Sequence, residues 1–191
     1  MNPGPPTLPD HLRPGLTVVF IGINPGLYSA QRGHYFARRN SRFWPAFSAS
    51  LLSEPVRRKL GVHLLQPEHD CKLPDFGFGL TDLVKRVSAN ASQLLPIDFD
   101  QGVPLLVRKL QHYSPQVACF HGITGYRQFC SRALNGASTQ RPLLGPQPER
   151  IGSTRLFVIP NPSPANAHFT LADQTAWYDR VATFIARLSK P

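Results

Sequence analysis

Residues 16–44 read LTVVFIGINPGLYSAQRGHYFARRNSRFW, and the strand-to-turn passage at their start decides the fold. Leu16 and the run Val18 to Ile21 are apolar and lead straight into Asn24-Pro25-Gly26, so a buried strand ends abruptly with an amide side chain at its tip. The ends of parallel strands are where α/β proteins place their chemistry. Arg32, Arg38, Arg39 and Arg42 then follow with no acid among them, interleaved with Tyr35, Phe36, Phe43 and Trp44. Cations mixed with aromatic rings are the pattern of a nucleic-acid surface.

Outward from this stretch, strand and helix alternate. Leu16 to Ile23 is the first strand, and a helix capped by Asn40 or Ser41 should carry Phe43, Trp44, Phe47 and Leu51 on one face. Residues 53–75 are mixed and punctuated by proline. Phe76 to Val84 makes a second approach to the sheet, with glycines admitting close backbone contact. A helix over 101–112, a strand from Gln116 to His121 and a helix from Ile123 to Leu134 come next. Three prolines between Thr139 and Arg150 indicate a loop, Thr154 to Pro160 a strand, and Leu171 to Leu188 a final amphipathic helix. The pattern predicts a three-layer α/β/α domain around a short, mainly parallel sheet. Residues 1–15 hold five prolines and read as a flexible arm, leaving 16–191 as one domain.

Composition narrows the partner. The chain of 191 residues carries 21 Lys and Arg against 11 Asp and Glu, a net charge of +10 and a pI near 10.2. Such an excess attracts polyanions at long range and gains from counterion release. Cys71, Cys119 and Cys130 are odd in number and widely spaced, which indicates neither a disulfide framework nor a zinc site. No apolar run has the length of a membrane span and no signal pattern opens the chain, so a cytoplasmic, nucleoid-associated or nuclear protein is expected.

Two blocks resemble the mismatch-specific uracil/thymine-DNA glycosylases (the Mug/TDG family). Gly22-Ile23-Asn24-Pro25-Gly26-Leu27, the aromatic Phe36 and the helix start Arg42-Phe43-Trp44 are similar to that family's active-site motif. Ile159 to Phe169, with Asn161-Pro162-Ser163-Pro164-Ala165-Asn166-Ala167 at its centre, resembles the loop those enzymes wedge into DNA. The resemblance implies that a nucleotide is flipped out of the duplex and its uracil hydrolysed from the sugar, without metal or cofactor, by a monomer acting on uracil mismatches. It implies that Asn24 holds the attacking water, that Phe36 stacks on the flipped base, and that Gly22, Ile23, Pro25, Gly26 and Ser29 line the base pocket. Ser29 falls at the C5 edge, where room for a methyl group decides thymine rejection. Arg32, Arg38, Arg39 and Arg42 would meet phosphates. With three cysteines, the chain lacks the four ligands of the iron–sulfur members of the wider superfamily.

Two positions depart from the family pattern. Asp82 stands where relatives have lysine or asparagine, and a carboxylate there can act as a base or stabilise a cationic sugar, or simply cap a turn. With an ordinary pKa of about 3.9 it would be ionised throughout the neutral range. In the wedge loop, Pro164 to Ala167 replace a bulky plug and an arginine, which predicts weaker dependence on the opposite base and action on single strands. Those losses also fit an alternative, a catalytically weak damaged-DNA binding module. A small nucleotide hydrolase is a third reading that leaves the charge and the loop unexplained.

Overall fold

The computed structural model describes residues 7–134 and 143–188. Five strands form one sheet in the order β2-β1-β3-β5-β4: β1 (Val18–Gly22), β2 (Phe78–Asp82), β3 (Val117–His121), β4 (Gly145–Ile151) and β5 (Thr154–Ile159). All neighbours run parallel except β4, which is antiparallel to β5. The helices are α1 (Leu27–Arg32), α2 (Phe43–Ala49), α3 (Glu54–Leu60), α4 (Pro96–Tyr113), α5 (Ile123–Ala133) and α6 (Leu171–Leu188).

The strand alternation divides the core in two, as a sheet covered on both faces requires. Val18, Phe20, Cys119 and Phe157 face one layer with Phe43, Phe47, Tyr178 and Val181 of α2 and α6. Val19, Ile21, Ala118, Phe120 and Leu156 face the other with Val103, Leu106, Tyr126 and Phe129 of α4 and α5. Phe20 is the hub of the first layer, edge-on to Phe43, Phe47 and Tyr178 at 5.5–5.9 Å between ring centres. The expected three-layer architecture is therefore present.

The order β2-β1-β3-β5 places the reversal of winding between β1 and β3. Connections leave to one side from β1 and to the other from β3, which opens a crevice at their C-terminal ends. Gly22, Asp82, His121 and Ile159 end their strands at this edge.

Several expectations need correction. Residues 7–15 are packed rather than a free arm: Leu8 is buried, and His11 exchanges both backbone hydrogen bonds with Leu80, at 2.9 and 3.1 Å. β2 is an edge strand with unpaired backbone groups, and this segment covers them, so its prolines do not free it. Residues 1–6 lie outside the described residues. Much of the expected 139–150 loop is β4, where Pro146 and Pro148 are tolerated because the strand lies at the other edge; residues 139–142 lie outside the described residues. Leu51 is exposed, because α2 ends at Ala49 and the chain tightens into a 3-10 turn over Leu51–Ser53. α4 begins at Pro96 rather than near 101, with proline in its first turn and Asp98 accepting from the Leu95 N–H at 2.7 Å. The short α1 carries no periodic signal long enough to be read.

Candidate active site

Asn24 lies just beyond β1, and its amide nitrogen is held from below. Nδ2 donates to the Ser88 Oγ at 2.8 Å and to the Arg86 carbonyl at 2.9 Å. Ser88 Oγ in turn donates to the Asn90 carbonyl at 2.8 Å. The receiving loop is fixed by backbone bonds from Leu83 to Gly22 and from Val84 to Ile23, both 2.9 Å, and by the Arg86 guanidinium on the Asp98 carboxylate. With its nitrogen so occupied, Oδ1 is the end of the amide that accepts no bond among the described residues.

Asp82 ends β2 opposite Gly22 and is buried. A methyl group on Gly22 would sit 2.5 Å from Asp82 Oδ1, so only glycine at this strand end lets the carboxyl lean over β1. Oδ2 has no hydrogen-bond partner, the Tyr35 hydroxyl lies nearby, and the Lys85 ammonium stops 3.8 Å from Oδ2. Burial pushes the Asp82 pKa up to about 7, against the pull of the nearby Lys85. The ordinary carboxyl value expected from the sequence is thus corrected: desolvation outweighs the pull of Lys85 and Lys109. Asp82 also borders a cavity of about 140 Å³ between this loop and α4, shared with Lys85, Gln101, Gly102 and Lys109.

Phe36 has φ of 53°, a left-handed conformation unfavourable for a phenylalanine. Its backbone neighbours hold it there. Ser29 Oγ accepts from the Ala37 N–H at 3.1 Å, and the buried Asp70 accepts from the Tyr35 N–H at 2.9 Å and contacts the His34 ring at 3.1 Å. The Phe36 ring stacks on Phe43 at 4.1 Å and meets His121 edge-on at 5.3 Å, and it is only partly buried. The ring thus backs onto the core through Phe43 and keeps part of its surface exposed. His121 is buried with Nε2 3.0 Å from the Tyr178 hydroxyl, and burial lowers its pKa to about 3. Its imidazole is neutral at physiological pH.

The other sequence candidates separate. Gly22 and Gly26 are half-buried at the strand end, with open space beside Gly26, while Pro25 is buried. The Ile23 side chain packs on Gly125 in the second core layer, because strand alternation turns it away from the Asp82 side. Ser29 is nearly buried, with its oxygen already accepting from Ala37.

Arg42 is not a free phosphate ligand. Its guanidinium donates to the carbonyls of Ser163 at 2.8 Å, Asn166 at 2.6 Å and Phe169, and its backbone N–H to Pro162. Three loop carbonyls need a donor, and the planar guanidinium supplies several in one place. Arg32 reaches Glu68 at 3.3 Å in an exposed pair, whereas Arg38 and Arg39 are exposed and make no ion pair among the described residues. In the loop, Asn161 Oδ1 accepts from the Ser163 N–H and Ser163 Oγ from the Ala165 N–H, so both side chains shape its turns. Pro162 is buried, Pro164 and Asn166 are half-buried, and Ala165 and Ala167 protrude.

Sequence reasoning missed Ser88, Tyr35, Lys85 and Asp10. Ser88 and Lys85 follow Asp82 closely, and a search of the strand-end loop for polar residues would have found them. Nothing local marks Asp10. Among the described residues no group of three or more His, Cys, Asp or Glu side chains is arranged to hold a metal ion.

Residues 9–183 match the family model for the uracil DNA glycosylase superfamily. The chain belongs to that superfamily. Its fold is similar to the solution NMR structure of a Methanosarcina acetivorans protein provisionally named a uracil DNA glycosylase, with a TM-score of 0.54 and 16% identity over 93% of this chain and 98% of that one.

Proposed function

We propose that this chain is a monofunctional DNA glycosylase of the mismatch-specific (Mug/TDG) branch, which flips uracil out of mismatched DNA and hydrolyses its bond to deoxyribose. The observation that carries the reading is the tethered Asn24 amide just beyond the end of β1, with the buried Asp82 carboxyl, one oxygen of which accepts no hydrogen bond, at the end of the neighbouring strand β2. A water accepted by Asn24 Oδ1 faces the anomeric carbon. Asp82, when ionised, takes its proton or stabilises the developing sugar cation, and backbone N–H groups near Gly26 and Phe36 receive the negative charge growing on the base. The exposed part of Phe36 supplies a stacking face for the flipped base. The loop from Asn161 to Ala167, steadied by Arg42, enters the duplex. Its small tip fills the gap poorly, which supports weak dependence on the opposite base and activity on single strands. Arg38 and Arg39 meet phosphates; no metal or cofactor takes part, and the enzyme acts as a monomer on DNA in the cytoplasm or nucleus.

The test is single-turnover release of uracil from U:G, U:A and single-stranded substrates, with T:G alongside and binding measured on the same oligonucleotides. Binding without turnover would replace the enzyme by the damaged-DNA binding module. Release from the free nucleoside would point to a nucleotide hydrolase.

A further inference from the structure

The segment that covers the β2 edge brings a carboxylate into the surroundings of Asp82. Asp10 accepts from the Lys85 ammonium at 2.7 Å and from the Thr81 hydroxyl at 2.7 Å, and it pairs with Lys109 of α4. Its place is secured on both sides. Leu8 is buried, Thr7 donates to the Lys85 carbonyl at 2.7 Å, and His11 bridges Leu80. The groups nearest Asp82 in effect are Lys85 from its own loop, Tyr35 from the loop after α1, Asp10 from this segment and Lys109 from α4, and the Arg86–Asp98 pair lines the same cavity. Lys85 also donates to the Tyr35 hydroxyl at 3.2 Å. Both Lys85 and Lys109 are therefore turned towards Asp10, and Lys85 makes only a long 3.8 Å ion pair with Asp82 Oδ2, which accepts no hydrogen bond.

We infer that Asp10 is a positioning residue of this active site, which holds the Lys85 and Lys109 ammonium groups off Asp82 and so keeps Oδ2 free for the water. The inference rests on the glycosylase reading above and assigns the N-terminal segment a part in it. Without the Asp10 charge, Lys85 needs only a small swing about its flexible stem to close on Oδ2. A closed ion pair would occupy the oxygen that has to take a proton and would hold it ionised at lower pH.

The experiment compares single-turnover pH profiles of the full-length protein and of Asp10→Asn, Asp10→Glu, Lys85→Gln and the double variant Asp10→Asn/Lys85→Gln, with Asp82→Asn in the same series. Wild type should lose activity as pH falls through about 7. Asp10→Asn should lower the plateau rate on the order of tenfold, a modest part of what loss of a general base costs. Its acid limb should move down on the order of one pH unit, the usual effect of a cation brought against a carboxylate. Affinity for uracil-containing DNA should not change. Asp10→Glu should resemble wild type, and the double variant should recover the rate of Lys85→Gln alone, because no amine remains to close the pair. An unmoved acid limb in Asp10→Asn, or equal losses with and without Lys85, would reduce Asp10 to a structural staple and overturn the inference. A wild-type rate in Asp82→Asn would instead remove the catalytic reading of Asp82 itself.

Discussion

At the residue scale, the proposed reaction divides its chemistry between Asn24 and Asp82. Replacing Asn24 by alanine should nearly abolish uracil release with folding intact, because the tethered amide then has no Oδ1 to hold a water. Asp82→Asn should lower the single-turnover rate about 10²–10⁴-fold. The wild-type profile should rise with pH through about 7, where the carboxyl loses its proton, and the variant should lack that limb. Stability runs the other way. The folded-state pKa of Asp82 is raised from 3.8 to about 7, so the folded protein binds the proton more tightly than the unfolded chain. That contribution is complete below the unfolded value and is lost as pH rises through about 7, where a bare carboxylate must stay buried. Asp82→Asn should therefore raise stability relative to wild type at pH 8, and much less at pH 5. Thermal unfolding of the two proteins at both pH values checks this, and equal differences at the two would show that the group is solvated. Activity and stability are opposed at this one side chain.

At the scale of elements, the decisive link is Arg42 at the start of α2 to the loop after β5. Its guanidinium reaches three carbonyls across more than a hundred residues of chain, which sets the loop against the crevice. Arg42→Ala should leave those acceptors unsatisfied and loosen the loop, costing about 1–3 kcal/mol in stability. The rate on duplex substrate should fall more than the rate on single strands, since only the duplex needs a wedge. Equal losses on both would mean that the loop has no part in opening the duplex. Phe36 links the loop after α1 to the same crevice. Phe36→Ala should weaken uracil-dependent binding by about 1–3 kcal/mol while leaving undamaged-duplex affinity nearly unchanged. A matching loss on both DNAs would assign the ring wholly to the core contact with Phe43.

For the whole molecule, the excess of positive charge sets how DNA is reached. Log affinity should fall steeply with log salt, by about 0.9 for each phosphate neutralised. The double variant Arg38→Ala/Arg39→Ala should flatten that slope by roughly two such steps. Arg42→Ala should hardly alter it, because that guanidinium already faces carbonyls of its own chain. A slope change for Arg42→Ala as large as for the pair would reverse this division of the arginines.

What was legible in the sequence was local. The apolar run into Asn24-Pro25-Gly26, the strands at Gln116 and Thr154 and the final amphipathic helix follow from periodicity and turn chemistry within a few residues, and the parallel sheet follows from their alternation. Asn24 could be singled out for the same reason, whereas Phe36 and Asp82 stood out only through the resemblance to the Mug/TDG motifs. What each can do was decided by partners far away in the chain. Asp82 titrates near neutrality because the fold buries it, and Lys85 is held off it by Asp10, 75 positions away. Arg42 looked like a phosphate ligand until the fold set Ser163, 121 positions on, against it. Ile23, one residue from the Asn24 amide, faces the other layer because strand side chains alternate. A sequence states which groups are present and what backbone each prefers. Desolvation, ion pairing and the choice between solvent and carbonyl depend on three-dimensional neighbours, and only the tertiary structure supplied those.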